Sequence, residues 1–215
     1  MADKTIPELT DAATLDGTET LHVVQSANSR EASTANIAAL SSTKGQHTIW
    51  LPAGAMIPAT TNGGELETSE STTNKVMMDG LLFDAATSES AQAAVQMPKS
   101  WDESTIVAQF VWTHPATTTN FGVTWGIQAR AFGNSDALDA AFGTAVEVSD
   151  TGGTTNDVFI SPETGAVTVG GTPGAEELVI FKFYRDPADG GDTMAVDAKL
   201  LGVKIHYTTN AETDG

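Results

Sequence analysis

Apolar and polar residues alternate along much of the second half of the chain. Val123, Trp125, Ile127 and Ala129 stand against Thr124, Gly126, Gln128 and Arg130, the two-residue period of a half-buried strand. A second run, 106–112, places Ile106, Ala108, Phe110 and Trp112 on one face. Runs 178–184 and 201–207 predict two further strands, and 145–148, 158–160 and 166–169 give weaker ones. Turns rich in Gly, Pro and Asn separate these runs at intervals of about a dozen residues, the rhythm of a β-sandwich. The stretch 88–97 is Ala-rich enough for a helix. Its Ala91, Ala93, Val95 and Met97 nonetheless alternate with polar neighbours that include Gln92 and Gln96, so it is read as a strand. Residues 135–143 predict one or two helical turns, capped by Ser135 and stopped by Gly143. Residues 60–74 are polar and aperiodic and predict a long surface loop. Pro52 and Pro58 bar the apolar segment 49–58 from the middle of a sheet or helix.

The first 45 residues have a different character. Val23 and Val24 predict a strand, Ser33 or Thr34 an N-cap, and an Ala-rich turn of helix ends near Leu40. Residues 41–45 read as a linker. The division is therefore 1–45, a small docking segment with its linker, and 46–215, an antiparallel β-sandwich; the fold class is mainly β. A segment as short as the first cannot bury enough apolar surface to stand alone, so it is expected to dock on something larger.

Composition narrows the function. The chain has 215 residues, 10 bases against 28 acids, and a net charge of −18. Residues 1–45 hold three bases and six acids, so most of the excess lies in the remainder. A phosphate backbone or an anionic membrane would be repelled by most faces, which argues against both as partners. General solubility and tolerance of salty water both fit such a surface, and screening favours the second. Only 18% of residues are charged, so Thr, Ser, Asn and Gly must cover much of the surface, as suits strands and turns. With no cysteine, disulfides, thiolate nucleophiles and Cys-bound metals are excluded. No signal-peptide pattern and no apolar run long enough to span a bilayer are present, so membrane insertion is not expected.

Motifs for chemistry are sparse. Asp186, Asp189 and Asp192 lie in a Gly/Pro-rich loop whose oxygens calcium could take, although the EF-hand spacing and terminal Glu are missing. The competing reading is a hairpin turn whose Asp residues bond their own backbone, with an Arg185–Asp192 ion pair across it. His22, His47, His114 and His206 are scattered and form no HExxH pair; His206, on a strand face, points to solvent or to a subunit contact. No nucleophile elbow is present, and the pairs Gly152-Gly153, Gly170-Gly171 and Gly190-Gly191 lack the context of a phosphate loop. Trp50, Trp101, Trp112 and Trp125 could line a sugar site. Trp112 and Trp125 lie on apolar strands and are assigned to the core, whereas the flanks of Trp101 are compatible with exposure. No catalytic residue, cofactor or metal ligand is predicted, and the chain is not expected to be an enzyme.

Two sets of residues carry a resemblance. Residues 6–9 (Ile-Pro-Glu-Leu), the turn Leu15-Asp16-Gly17-Thr18-Glu19, the run Leu21-His22-Val23-Val24-Gln25 and the Ile37-containing helix resemble the leader of tailed-phage appendage proteins. The ordered set Phe83-Asp84-Ala85-Ala86-Thr87, residues 97–102, 123–128, 136–143 and 192–203 resembles a C-terminal module of phage tail-fibre and virion-fibre proteins. The resemblance implies a non-catalytic, jelly-roll-like homotrimer located in the virion. Its Ile6, Leu9, Leu15, Leu21, Val23, Val24, Ile37 and Leu40 would dock on another virion protein of tail or capsid. A short tail fibre, with a host-surface glycan as a further partner, is the first expectation. Because no repeat or heptad tract supplies a shaft, a capsid decoration or head-fibre protein is the alternative.

Overall fold

The computed structural model describes residues 18–25, 28–41, 45–115, 121–211 and 214. The chain divides into two compact units, Met1–Lys44 and Gly45–Gly215. In the first, strand β1 (Thr20–Gln25) pairs antiparallel with β2 (Asn28–Ser33), in the register Thr20↔Ser33 to Gln25↔Asn28. Helix α1 (Thr34–Ser41) follows directly. Ser33 Oγ accepts a bond from the Asn36 amide at 3.1 Å, which makes Ser33 the N-cap. Thr34 ties the helix start back to Glu19 through its amide (2.7 Å to the carbonyl) and its hydroxyl (2.9 Å to Oε2).

The second unit is an antiparallel β-sandwich. One sheet runs β10 (Val146–Thr151), β9 (Gly122–Phe132), β12 (Leu178–Arg185), β7 (Ser90–Gln96) and β4 (Ile57–Pro58). The other runs β11 (Phe159–Ile160), β8 (Val107–Thr113), β13 (Ala198–Thr208), β6 (Met77–Phe83) and β5 (Glu65–Glu70), and β3 (Gln46–Pro52) also pairs with β13. β8 holds one edge of β13, while the other edge is shared end to end by β6 at Ala198–Leu200 and β3 at Gly202–Thr208. At that change of partner Leu201 is the extra residue of a bulge. The bulge reverses parity: Ala198 and Leu200 are buried before it, and Val203, Ile205 and Tyr207 after it. Pro52 ends β3 and Pro58 sits in an edge strand, where a missing N–H costs no ladder bond.

The alternating residues of the central strands form the core. Phe110 of β8 stacks on Trp125 of β9 (5.6 Å, 10°), while Phe83 meets the same indole edge-on at 5.5 Å. These contacts cross between the sheets and interlock them. Trp112 also crosses, its Nε1 donating to Asp150 Oδ2 at 2.8 Å. Among the described residues no helix is long and apolar enough to cross a membrane.

Three local expectations fail. Residues 135–143 are not helical: Ser135 is left-handed (φ 73°), and Asp136 accepts from the Gly133 amide in a turn. Gly143 then bonds the Ala129 carbonyl, so attachment to β9 replaces helix formation. Within 60–74 the chain forms β5 rather than a loop throughout. This edge strand is largely exposed and therefore shows no hydrophobic alternation. Residues 166–169 make only isolated bridges, such as Ile106↔Val167.

Candidate binding surfaces

The loop after β12 is built around Arg185, which is fully buried. Its Nε and Nη2 form a bidentate pair with Asp192 Oδ2 and Oδ1, each at 2.8 Å. Nη2 also donates to the Met194 carbonyl (2.7 Å), and Nη1 to those of Val196 (2.9 Å) and Phe83 (3.2 Å). One guanidinium thus fastens residues 192–196 to the end of β6. Asp186 Oδ1 accepts from the Ala188 amide, and Asp189 Oδ1 from the Gly191 amide and the Thr124 hydroxyl. Asp192 Oδ2 accepts from the Thr124 amide as well. The three carboxylates therefore serve the turn, Thr124 and the guanidinium, and the turn bonds and the Arg185–Asp192 pair are as expected. However, β12 and β13 lie in different sheets, so the loop is a crossover between them and not the expected hairpin. Among the described residues no group of three His, Cys, Asp or Glu is placed to hold a metal ion.

A concavity of about 650 Å³ lies on the outer face of the six-stranded sheet. Glu67, Ser69, Met78, Thr113, Asp197 and Lys199 contribute to its lining. Lys199 is 4% exposed and lies across Gly80, where a side chain would collide with it. Its Nζ donates to Ser69 Oγ (2.7 Å) and the Met78 carbonyl (3.2 Å) and pairs with Glu67 Oε2 (3.0 Å). A Ser–Lys contact suggests nucleophilic chemistry. However, an ammonium donating to three acceptors has no lone pair with which to take a proton from Ser69. The cleft is built to bind or to pack.

The tryptophans divide sharply. Trp101, Trp112 and Trp125 are fully buried, which corrects the expectation that Trp101 could be exposed. Trp50 is 46% exposed and lies over Gly202 of β13, close enough that a β-carbon there would clash. Beside it His206 is half-buried, with Nδ1 at 3.1 Å from Thr48 Oγ1 and Nε2 at 3.4 Å from Gln109 Oε1. His114 is buried against Phe121 (4.6 Å) and Phe159 (5.3 Å), and His47 packs on Tyr207 (5.8 Å).

Of the expected docking residues, Leu21, Val23 and Val24 lie in β1, and Ile37 and Leu40 in α1. Leu21 is 50% exposed and Ile37 half-buried. Ile6, Leu9 and Leu15 fall outside the described residues.

The outer face of the five-stranded sheet holds a feature that escapes sequence reasoning. Tyr184 lies over Gly126 on the neighbouring strand, at a contact that leaves no room for a β-carbon. Its hydroxyl donates to Glu147 Oε1 at 2.7 Å. Burial, and secondarily that carboxylate, raises the phenol above its ordinary pKa, so the ring is neutral at physiological pH. The only sequence signal is a glycine at an outward position of a strong strand.

No protein-family model matches the chain, and a search of the curated proteins finds no match. Among solved structures, a family 35 carbohydrate-binding module from Cellvibrio japonicus is 9% identical, with a TM-score of 0.40 over 74% of this chain and 92% of that one. A family 22 xylan-binding domain from Paenibacillus barcinonensis is 12% identical, with a TM-score of 0.42 over 74% and 98%. A structure of the infectious bursal disease virus Gt strain is 11% identical, with a TM-score of 0.32 over 94% of this chain and 39% of that one.

Proposed function

We propose that this chain is a non-catalytic structural component of a tailed-phage virion, anchored by its N-terminal unit and exposing the β-sandwich as a homotrimer. One observation carries the reading: the first 44 residues form a compact unit of their own. The first unit is a two-stranded hairpin with an eight-residue helix. Such a piece is marginal in water and gains stability by covering its apolar side chains with a partner surface. Three copies would add avidity to a contact that is weak singly. Only four residues separate the end of α1 at Ser41 from the start of β3 at Gln46. That leaves no room for a fibre shaft and favours a short appendage, or a capsid decoration as the second reading.

Immunogold electron microscopy of virions, with serum against residues 46–215, tests this. Label at the tail supports the short fibre; label spread over the shell supports decoration. Unlabelled particles would sink both.

A further inference from the structure

We propose that the outer face of the five-stranded sheet, around Tyr184, is a binding site for a neutral saccharide. The argument begins with strand parity. Trp125, Ile127, Phe181, Phe183 and Ala91 are buried in the sandwich, so Gly126, Gln128, Lys182, Tyr184, Ser90 and Gln92 face outward. The register aligns them in two rows across the sheet. One is Glu147–Gly126–Tyr184–Ser90, and the next is Gln128–Lys182–Gln92. Ser90, Gln128, Lys182 and Tyr184 of these rows line a shallow depression of about 290 Å³, and Gln92 stands beside it on β7.

Its construction is specific. Gly126 lets the Tyr184 ring lie down on the sheet, and the bond to Glu147 fixes the hydroxyl end, so an aromatic surface is held in place before any ligand arrives. Around it are hydroxyls and amides, with Lys182 and Glu147 as the charged groups. Gln128 Nε2 is occupied by the Gly143 carbonyl, whereas the Gln92 amide and the Lys182 ammonium bond no protein group among the described residues. Lys182 Nζ stands 6.0 Å from the Tyr184 ring centroid. At the rim Asn62 adopts the left-handed conformation (φ 54°), and its carbonyl accepts from the Ser90 amide at 2.8 Å.

A saccharide presents an apolar C–H face for an aromatic ring and vicinal hydroxyls that both donate and accept. Amide and hydroxyl side chains have the same double capacity. Charge decides between neutral and acidic sugars. With a net charge of −18 the molecule repels a polyanion, and one ammonium in the depression does not reverse that field. The Lys199 cleft is a poorer candidate because its cation is already spent on Glu67, Ser69 and Met78.

The test is affinity electrophoresis of the full chain through gels containing a neutral β-glucan, xylan, mannan or galactan, with polygalacturonate as the anionic control. We expect retardation by at least one neutral polymer and none by the control. Tyr184→Ala should weaken the retardation about tenfold or more, equivalent to at least about 1.4 kcal/mol, while Tyr184→Phe, which keeps the ring, retains it. Should Tyr184→Ala fail to fold, Lys182→Ala with Gln92→Ala decides, because neither side chain supports the fold through a hydrogen bond. No retardation by any of the four neutral polymers would overturn the proposal. So would retardation that survives these changes, or that Trp50→Ala abolishes instead. The site stands or falls independently of where the gold label lies on a virion.

Discussion

Arg185 shows what a single side chain can do when all its donors are used. Fully buried, it meets a carboxylate and three carbonyls and holds the loop of residues 186–197 closed. Removing one partner of such a pair leaves an uncompensated charge in the interior, at a cost of about 3–5 kcal/mol. Asp192→Asn should lose stability on that scale in urea unfolding at neutral pH. Arg185→Met, combined with Asp192→Asn, should cost less than the two single changes added together, because the second removes a group already stranded. Asp84 acts more gently. Its Oδ1 accepts from the Ala86 amide (2.7 Å) and the Thr87 amide (2.6 Å), and these bonds hold its carboxyl below the ordinary 3.8. The folded state thus binds its proton less readily than the unfolded chain. The stabilisation is complete above the unfolded value and drains away as pH falls through the folded one. Asp84→Asn keeps a neutral acceptor, so the melting temperatures of variant and parent should differ most above the ordinary 3.8 and converge as pH falls through the folded value. Parallel profiles would show that the ionised form contributes nothing.

At the scale of elements, strands with one face buried were legible and strands wet on both faces were not. β8, β9, β12 and β13 announce themselves because apolar residues such as Phe110, Trp125, Phe183 and Ile205 recur at alternate positions along them. β5 is Glu-Leu-Glu-Thr-Ser-Glu, in which pairing with β6 and not burial creates the strand, and β2, Asn-Ser-Arg-Glu-Ala-Ser, has no apolar alternation to read. β6 hides behind Asp79-Gly80, where the glycine is needed for Lys199 to cross. The Arg185–Asp192 pair could be anticipated because its two ends lie only seven residues apart in one loop. The Tyr184 surface could not, since Gly126 reaches it only through the non-local register of β9 with β12. The bulge at Leu201 yields the sharpest prediction at this scale. Deleting Leu201 would put either Ala198 and Leu200, or Val203, Ile205 and Tyr207, on the wrong face, because a slip of one residue inverts a strand. The deletion should give insoluble or unfolded protein. Leu201→Ala keeps the count and truncates a half-buried side chain, and should cost only about 1 kcal/mol by thermal melting.

For the whole molecule, the distribution of core and charge sets the expected behaviour. Because Gly45–Gly215 is a compact unit with its own apolar core, a chain shortened to residues 45–215 should melt within a few degrees of the full chain. A large drop in calorimetry would mean that the first unit buries surface against the sandwich and is not available to anchor it elsewhere. The charge works against the fold at long range. The sandwich half carries seven bases against 22 acids, and two of those bases, Arg185 and Lys199, are committed in the interior to Asp192 and Glu67. Each pair sets aside one acid with one base, so the excess of acids is unchanged, and the surface carboxylates repel one another across distances that salt screens. Raising ionic strength from about 0.01 M to about 1 M shortens the screening length from about 30 Å to about 3 Å. The repulsion weakens accordingly, while the bidentate Arg185–Asp192 contact, shielded from solvent, is nearly unaffected. The melting temperature should therefore rise with sodium chloride, and Asp192→Asn should lower it by a similar amount at every salt concentration. A melting temperature that falls with salt would mean that surface ion pairs such as Lys75–Glu70 (2.8 Å) outweigh the general repulsion. Association into the proposed homotrimer faces the same field, so any trimer fraction measured by light scattering should increase along the same salt series.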